Sequence, residues 1–198
     1  MPQAKSQFAT FEEYLTYDDG TDTRYELVDE ELVELPPESR PNLLIANFLF
    51  LFLVNAGVPL NLVYTHACEI QVPVLQVGDA KNRYPDLVIL REEHLALTQQ
   101  RATITLQMSP PVLIAEVVSP GDANRVRDYE RKREQYCQIG VQEYWLLDPE
   151  LQIVIVLTLK SGKYLEVGQF RGHNLIQSQL EMLQGLQLTS EQIFGAGH

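Results

Sequence analysis

The chain reads as an α/β protein: a mixed sheet flanked by helices, with an antiparallel extension towards its C-terminal end. Three observations carry that expectation. Residues 112–149, VLIAEVVSPGDANRVRDYERKREQYCQIGVQEYWLLDP, read as a buried strand, a turn, an amphipathic helix and a second buried strand. A long apolar helix over 39–55 and an apolar strand over 83–90 precede it. After it, the turns Asp148-Pro149-Glu150 and Ser161-Gly162-Lys163 separate short apolar runs, the pattern of an antiparallel meander.

In chain order, Thr10 followed three residues later by Glu13 makes a capping box, which predicts a short helix to about Tyr17. Alternation over 24–29 and 31–35 predicts a hairpin that turns at Asp29-Glu30 and is ended by Pro36-Pro37. Ser39 caps the next helix, Pro41 is tolerated in its first turn, and Gly57 stops it after about Asn55. This helix is apolar nearly all round, so it is expected to be covered on both sides, by the sheet and by a second subunit. Residues 62–74 read as a strand or strand pair. Residues 83–90 read as a strand entered through Pro85, where a missing amide is tolerated. A short helix and loop fill 91–100, and Pro110-Pro111 introduces the strand 112–118. Ser119-Pro120-Gly121-Asp122 breaks that strand. A helix from about Asn124 to Ile139 follows, closed by Gly140. Its expected buried face holds Val126, Tyr129, Tyr136 and Cys137, with Arg127, Arg131 and Glu134 solvated. Strands are expected over 143–148, 153–159 and 164–167, and Thr189 caps a last helix to Phe194. The expected organisation is one domain over 1–198: helix and hairpin at 10–38, a core at 39–148 and the extension at 149–198.

The 198 residues are 45% hydrophobic, enough for a real core. Cys68 and Cys137 lie in apolar patterns and read as buried reduced thiols. The start, MPQAKSQFATFEEYL, lacks a basic region followed by an apolar core, which predicts no signal peptide. Asn47, Asn55 and Gly57 interrupt the apolar run 43–60, which therefore reads as a buried helix and not a membrane span. A cytoplasmic location follows as the expectation. The net charge of -12 repels polyanions in bulk, yet Arg125, Arg127, Arg131, Lys132 and Arg133 cluster locally.

Glu116 stands among Val112, Leu113, Ile114, Ala115, Val117 and Val118. A lone carboxylate in an apolar strand is costly unless paired. It is either salt-bridged or turned to the rim where Ser119-Pro120 ends the strand. Asp86 follows Pro85 at the mouth of another apolar strand. Alone it is an ordinary turn residue; with Glu116 it makes two carboxylates able to converge on a hard cation, Mg2+ or Mn2+. The backbone carbonyl of Val117 is a further candidate ligand. Lys132 lies about 40° round the helix from Tyr136 at about 100° per residue. It either reaches those acids or pairs with Asp128 four residues earlier. Glu26 is a fourth carboxylate in an apolar setting, a candidate site acid or an edge-strand charge. His66, His94, His173 and His198 have no ligand spacing to one another, and His66 reads as structural. Two acids and a lysine on adjacent elements are the parts of a metal-dependent phosphodiesterase.

Taken together, Tyr25-Glu26-Leu27-Val28-Asp29, Tyr84-Pro85-Asp86-Leu87-Val88, Glu116-Val117-Val118-Ser119-Pro120, then Asp128, Lys132 and Tyr136, and Glu143-Tyr144-Trp145-Leu146-Leu147-Asp148-Pro149 resemble the Uma-type endonuclease family of the PD-(D/E)XK superfamily, over roughly residues 10 to 195. The resemblance implies a restriction-endonuclease-like core and a divalent metal on Asp86 and Glu116. The superfamily's lysine usually lies two residues after the second acid. Val118 stands there, so Lys132 on the following helix would be its migrated replacement. Glu26 would be an additional acid of the site. Two positions depart from the pattern: Asn42 where many relatives carry histidine, and Glu30 where the hairpin turn often has glycine. The function expected is metal-dependent hydrolysis of nucleic-acid phosphodiesters, with DNA as partner and a homodimer as the working form. The alternative is an inactive nuclease fold kept as a binding or assembly module.

Overall fold

The computed structural model describes residues 8–21 and 23–197. Thr10 caps helix α1 (Phe11–Leu15) through the reciprocal Thr10/Glu13 hydrogen bonds. Strands β1 (Tyr25–Val28) and β2 (Glu31–Glu34) form the expected hairpin. Asp29 and Glu30 both take left-handed φ values, 46° and 68°, so Glu30 supplies without glycine the backbone that a two-residue turn requires. Helix α2 (Arg40–Asn55) starts at the Ser39 cap with Pro41 in its first turn, and Gly57 follows its end at φ 105°.

Beyond α2 the chain departs from expectation. Residues 62–74 yield two short strands in different sheets, β3 (Val63–Tyr64) and β4 (Glu69–Gln71). Residues 83–90 likewise split into β5 (Asn82–Arg83) and β6 (Leu87–Ile89). Pro85 does not enter a strand; it ends one. Its missing amide and the restriction it places on Tyr84 break the ladder, and the chain crosses from one sheet to another at Asp86. Helix α3 (His94–Leu97) is followed by β7 (Thr103–Ile104), a strand not anticipated, which pairs parallel to β4.

Strand β8 (Leu113–Val117) is buried throughout. The helix that follows runs as α4 (Asp122–Val126), a π-helical segment Arg127–Lys132, and α5 (Arg133–Ile139), closed by left-handed Gly140. Strand β9 (Glu143–Asp148) is also wholly buried. Strands β10 (Ile153–Lys160) and β11 (Lys163–Arg171) make the meander, and α6 (Ser190–Gly195) starts at the Thr189 capping box.

The central sheet has the order β11-β10-β9-β8-β6-β3. Only the β8–β9 pair in it is parallel, as the intervening helix requires. Alternation along β8 sorts its side chains. Leu113, Ala115 and Val117 face Ile45, Leu49 and Leu53 of α2 and Phe194 of α6. Ile114 and Val118 face Tyr136, Tyr144 and Leu146. Glu116 belongs by parity to this second face, under the helix 122–139.

That helix buries the expected face only in part, with Tyr136 inside as expected. Val126 is exposed, Tyr129 and Cys137 are half-buried, and Asp128, Lys132, Gln135 and Tyr136 are buried. Arg127 and Arg131 are half-buried as well. Apolar periodicity favours Val126, but the strand beneath carries a buried acid, so a cation and hydrogen-bonding groups turn inward instead. Cys68 is buried, Cys137 is not fully so, and both are free thiols. Within the chain helix α2 is covered on one face: Leu49 is fully buried while Leu51 is 59% exposed. No described helix is long and apolar enough to cross a membrane.

At a protein concentration low enough to keep the chain monomeric, Leu49→Ala should therefore destabilise it by about 2–5 kcal/mol, and Leu51→Ala by under about 0.5 kcal/mol, in chemical unfolding. A loss at Leu51 that grows with protein concentration would mean that a second copy covers the outer face of α2.

Candidate active site

Asp86 lies where β6 begins. The register that sets Leu87 opposite Ala115, continued one step, brings Asp86 level with Glu116. The amide of Val117 donates to Asp86 Oδ2 at 2.6 Å, which fixes the carboxylate beside β8. So the Pro85 break that ends the ladder frees Asp86 to turn its side chain towards the strand carrying the second acid.

Glu116 is 1% exposed, and both of its oxygens are engaged. Lys132 Nζ lies 2.7 Å from Oε2, and the Tyr136 hydroxyl donates to Oε1 at 2.7 Å. Lys132 also lies 3.1 Å from Asp128 Oδ1, four residues back on its own helix. Lys132 contacts Glu116 and Asp128 at once, because one ammonium can serve two acceptors. Arg127 Nε reaches the same Asp128 oxygen at 3.1 Å. The i→i+5 turns of the π segment widen the helix over Arg127–Lys132, the stretch that carries all three charges.

Burial pushes the Glu116 carboxyl up, to about 8; the nearby Asp86 and Asp128 charges add to this and the Lys132 ammonium opposes it. Burial alone would also lower Lys132, but the Glu116 and Asp128 carboxylates hold it above its ordinary value. Burial would raise Asp128, yet Lys132 and Arg127 bring it below the usual carboxylate range. The direction common to these groups is that Lys132 keeps its charge.

Asp86, Glu116 and Lys132 line a cleft of about 310 Å³ together with Glu26, Glu38, Tyr84, Asn124 and Arg127. A second cavity, also about 310 Å³, is lined by Ile70, Ile104, Met108, Pro110 and Ile139 and carries no titratable group. Asp86, Glu116 and Lys132 all line the first. Glu26 accepts from Arg83 Nη1 at 2.9 Å, and Arg83 Nε donates to Gln135 Oε1 at 2.9 Å, so the hairpin acid is tied to α5 through one arginine. Asn42 donates to Ser119 Oγ at 3.1 Å, which joins the start of α2 to the loop after β8.

Two residues that sequence spacing did not select also reach the site. Glu38, His66 and Asp86 each offer a ligand atom, and these atoms lie within 4.8 Å of one another. His66 Nδ1 is 3.3 Å from Asp86 Oδ1. Both ring nitrogens of His66 are buried without a hydrogen-bond partner among the described residues. Burial pushes the Glu38 carboxyl up, and the Asp86 charge adds to it. An imidazole whose buried nitrogens make no hydrogen bond, grouped with two carboxylates, is a donor set that suits a divalent cation. No other histidine sits at ligand spacing to His66, which alone reads as structural; its neighbours here are acids distant in sequence. The signal for Glu38 was its place just before the Ser39 cap, which sets it at the mouth of α2.

The chain matches over residues 11–191 the model of the Uma2 family, described as "Putative restriction endonuclease". It belongs to the Uma2 family. The crystal structure of "a putative nuclease belonging to DUF820" from Anabaena variabilis ATCC 29413 is similar to it, with a TM-score of 0.66 at 16% identity, covering 96% of this chain and 99% of that one. At that identity the likeness is one of fold, and it is a nuclease-type fold of mixed sheet and flanking helices. No curated protein matches the chain. The Uma2 match spans the elements that carry Glu26, Asp86, Glu116 and Lys132.

Removing the Tyr136 hydroxyl leaves one oxygen of a buried carboxylate without its donor. Tyr136→Phe should cost about 1–3 kcal/mol in chemical unfolding. A loss below about 0.5 kcal/mol would mean that the hydroxyl is not needed to keep Glu116 inside.

Proposed function

We propose that this Uma2-family chain is a metal-dependent endonuclease that hydrolyses phosphodiester bonds, with DNA as its substrate. The observation that carries the reading is the Lys132–Glu116 contact of 2.7 Å on a cleft that Asp86 also lines. Asp86 and Glu116 would hold Mg2+ or Mn2+, with the Val117 carbonyl as a further ligand. When bound, such a cation supplies positive charge to the phosphate oxygens and acidifies a water.

The chain's own residues account for the rest. Lys132, kept charged by Glu116 and Asp128, puts an ammonium at the cleft wall, where it stabilises negative charge developing on the phosphate. Arg127 lines the same cleft and adds a second cation there. Glu26, held by Arg83, helps to position the cation or the water. Against a net charge of -12, this local pair of cations is what would admit a polyanion, so binding would weaken steeply with salt. We place the enzyme in the cytoplasm, as a homodimer formed through the exposed face of α2 around Leu43 and Leu51.

A second reading, an inactive nuclease fold that serves as a binding or assembly module, is favoured by one feature. Both oxygens of Glu116 are already taken, by Lys132 and Tyr136.

Asp86→Ala and Glu116→Ala should each lower cleavage of supercoiled plasmid and single-stranded DNA in Mn2+ by about 10²-fold or more. Far-ultraviolet dichroism should remain that of the folded protein. Wild-type cleavage rates in Asp86→Ala would overturn the assignment. The absence of cleavage in the parent protein would favour the binding module.

A further inference from the structure

We propose that Glu38, His66 and Asp86 form a divalent-cation site whose imidazole makes it prefer a transition ion, of the Co2+ or Zn2+ type, to Mg2+. The proposal shares with the nuclease reading the role of Asp86 as a cation ligand, but it does not depend on cleavage. It concerns the Oδ1 of Asp86: Oδ2 accepts from the Val117 amide, while Oδ1 lies 3.3 Å from His66 Nδ1.

Three observations support it. The three ligand atoms converge within 4.8 Å from three separate segments: the loop before α2, the turn between β3 and β4, and the break at Pro85. Next, His66 is held in place by its backbone and left unused by its side chain. Its amide donates to the Asp86 carbonyl at 3.3 Å, and its own carbonyl accepts from Arg24 Nη1 at 2.6 Å. Its φ is 55°, a left-handed conformation uncommon outside glycine and of the kind that gathers at ligand sites. Finally, both ring nitrogens are buried without a hydrogen bond among the described residues, and the contact given for the ring is Nδ1 at 3.3 Å from Asp86 Oδ1, itself one of the three ligand atoms. Leaving a buried polar group unpaired is costly, and a cation on the ring would offset that cost.

The donor set then decides the ion. Mg2+ favours oxygen ligands alone and gives up its water reluctantly, whereas imidazole binds later transition ions better. One nitrogen between two carboxylates therefore shifts selectivity away from Mg2+ without excluding it.

The test is calorimetric titration of the full chain with Co2+ and with Mg2+, together with the visible absorption of bound Co2+. The parent protein should bind Co2+ at least about tenfold more tightly than Mg2+. His66→Asn keeps a residue tolerant of the left-handed backbone and replaces the nitrogen donor by oxygen. It should lower Co2+ affinity by about tenfold or more, change the absorption band and leave Mg2+ binding nearly unaltered. Glu38→Gln, at a half-buried rim position, should weaken both ions, and it carries the test if His66→Asn unfolds. Glu116→Gln should retain Co2+ binding even where it abolishes cleavage, so the two proposals can fail separately. Unchanged Co2+ affinity in both His66→Asn and Glu38→Gln would overturn the site.

Discussion

A carboxylate buried in the middle of a sheet has to be met by a cation, and the geometry around the cleft follows from how Lys132 meets Glu116. Glu116 is carried inside by a strand whose other residues are apolar, and there the cost of an unpaired charge amounts to several kcal/mol. The crossover helix above it answers that cost. It turns Lys132, Gln135 and Tyr136 inward and leaves Val126 outside, against its apolar periodicity. Asp128 then has to be buried too, since it shares the lysine, and Arg127 closes the set from the outer side. The buried charges thus determine which face of the helix packs, and the apolar residues fit around them.

The same logic explains the breaks in the neighbouring strands. A continuous strand over 83–90 would hold Asp86 in a ladder; the interruption at Pro85 releases it to accept from the Val117 amide. Arg83, on the strand just before the break, spans from Gln135 to Glu26 and so brings the N-terminal hairpin to the cleft. Four separate parts of the chain, the hairpin, the α2 entrance, the strand break and the crossover helix, are joined around one acid-rich cleft. Its charge balance rests on Lys132 and Arg127.

Much of this was legible in the sequence, where a local rule decides the outcome. The caps at Thr10, Ser39 and Thr189, the stop at Gly140, the hairpin at Asp29-Glu30 and the strand 143–148 each follow from a few adjacent residues. Asp86, Glu116 and Lys132 could be singled out because a charged group in an apolar pattern is a local anomaly. What could not be read depends on distant partners. His66 looks ordinary until Glu38 and Asp86 fold around it. The short strands β3 to β7 are shaped by pairings spread over two sheets, and no periodicity over two or three residues can signal that. The inward face of the crossover helix is set by the strand beneath, which the helix's own sequence does not reveal.

The measurement that bears most directly on this account is a double-mutant cycle at Glu116 and Lys132, followed by chemical unfolding. Lys132→Met and Glu116→Gln should each destabilise the protein, the former by about 3–5 kcal/mol because it strands buried carboxylates. The double substitution should cost less than the sum of the two by at least about 1 kcal/mol, since each single change leaves the other partner unpaired. Strictly additive losses would mean that Lys132 and Glu116 do not hold each other, and the account of the helix face and the cleft would fail with them.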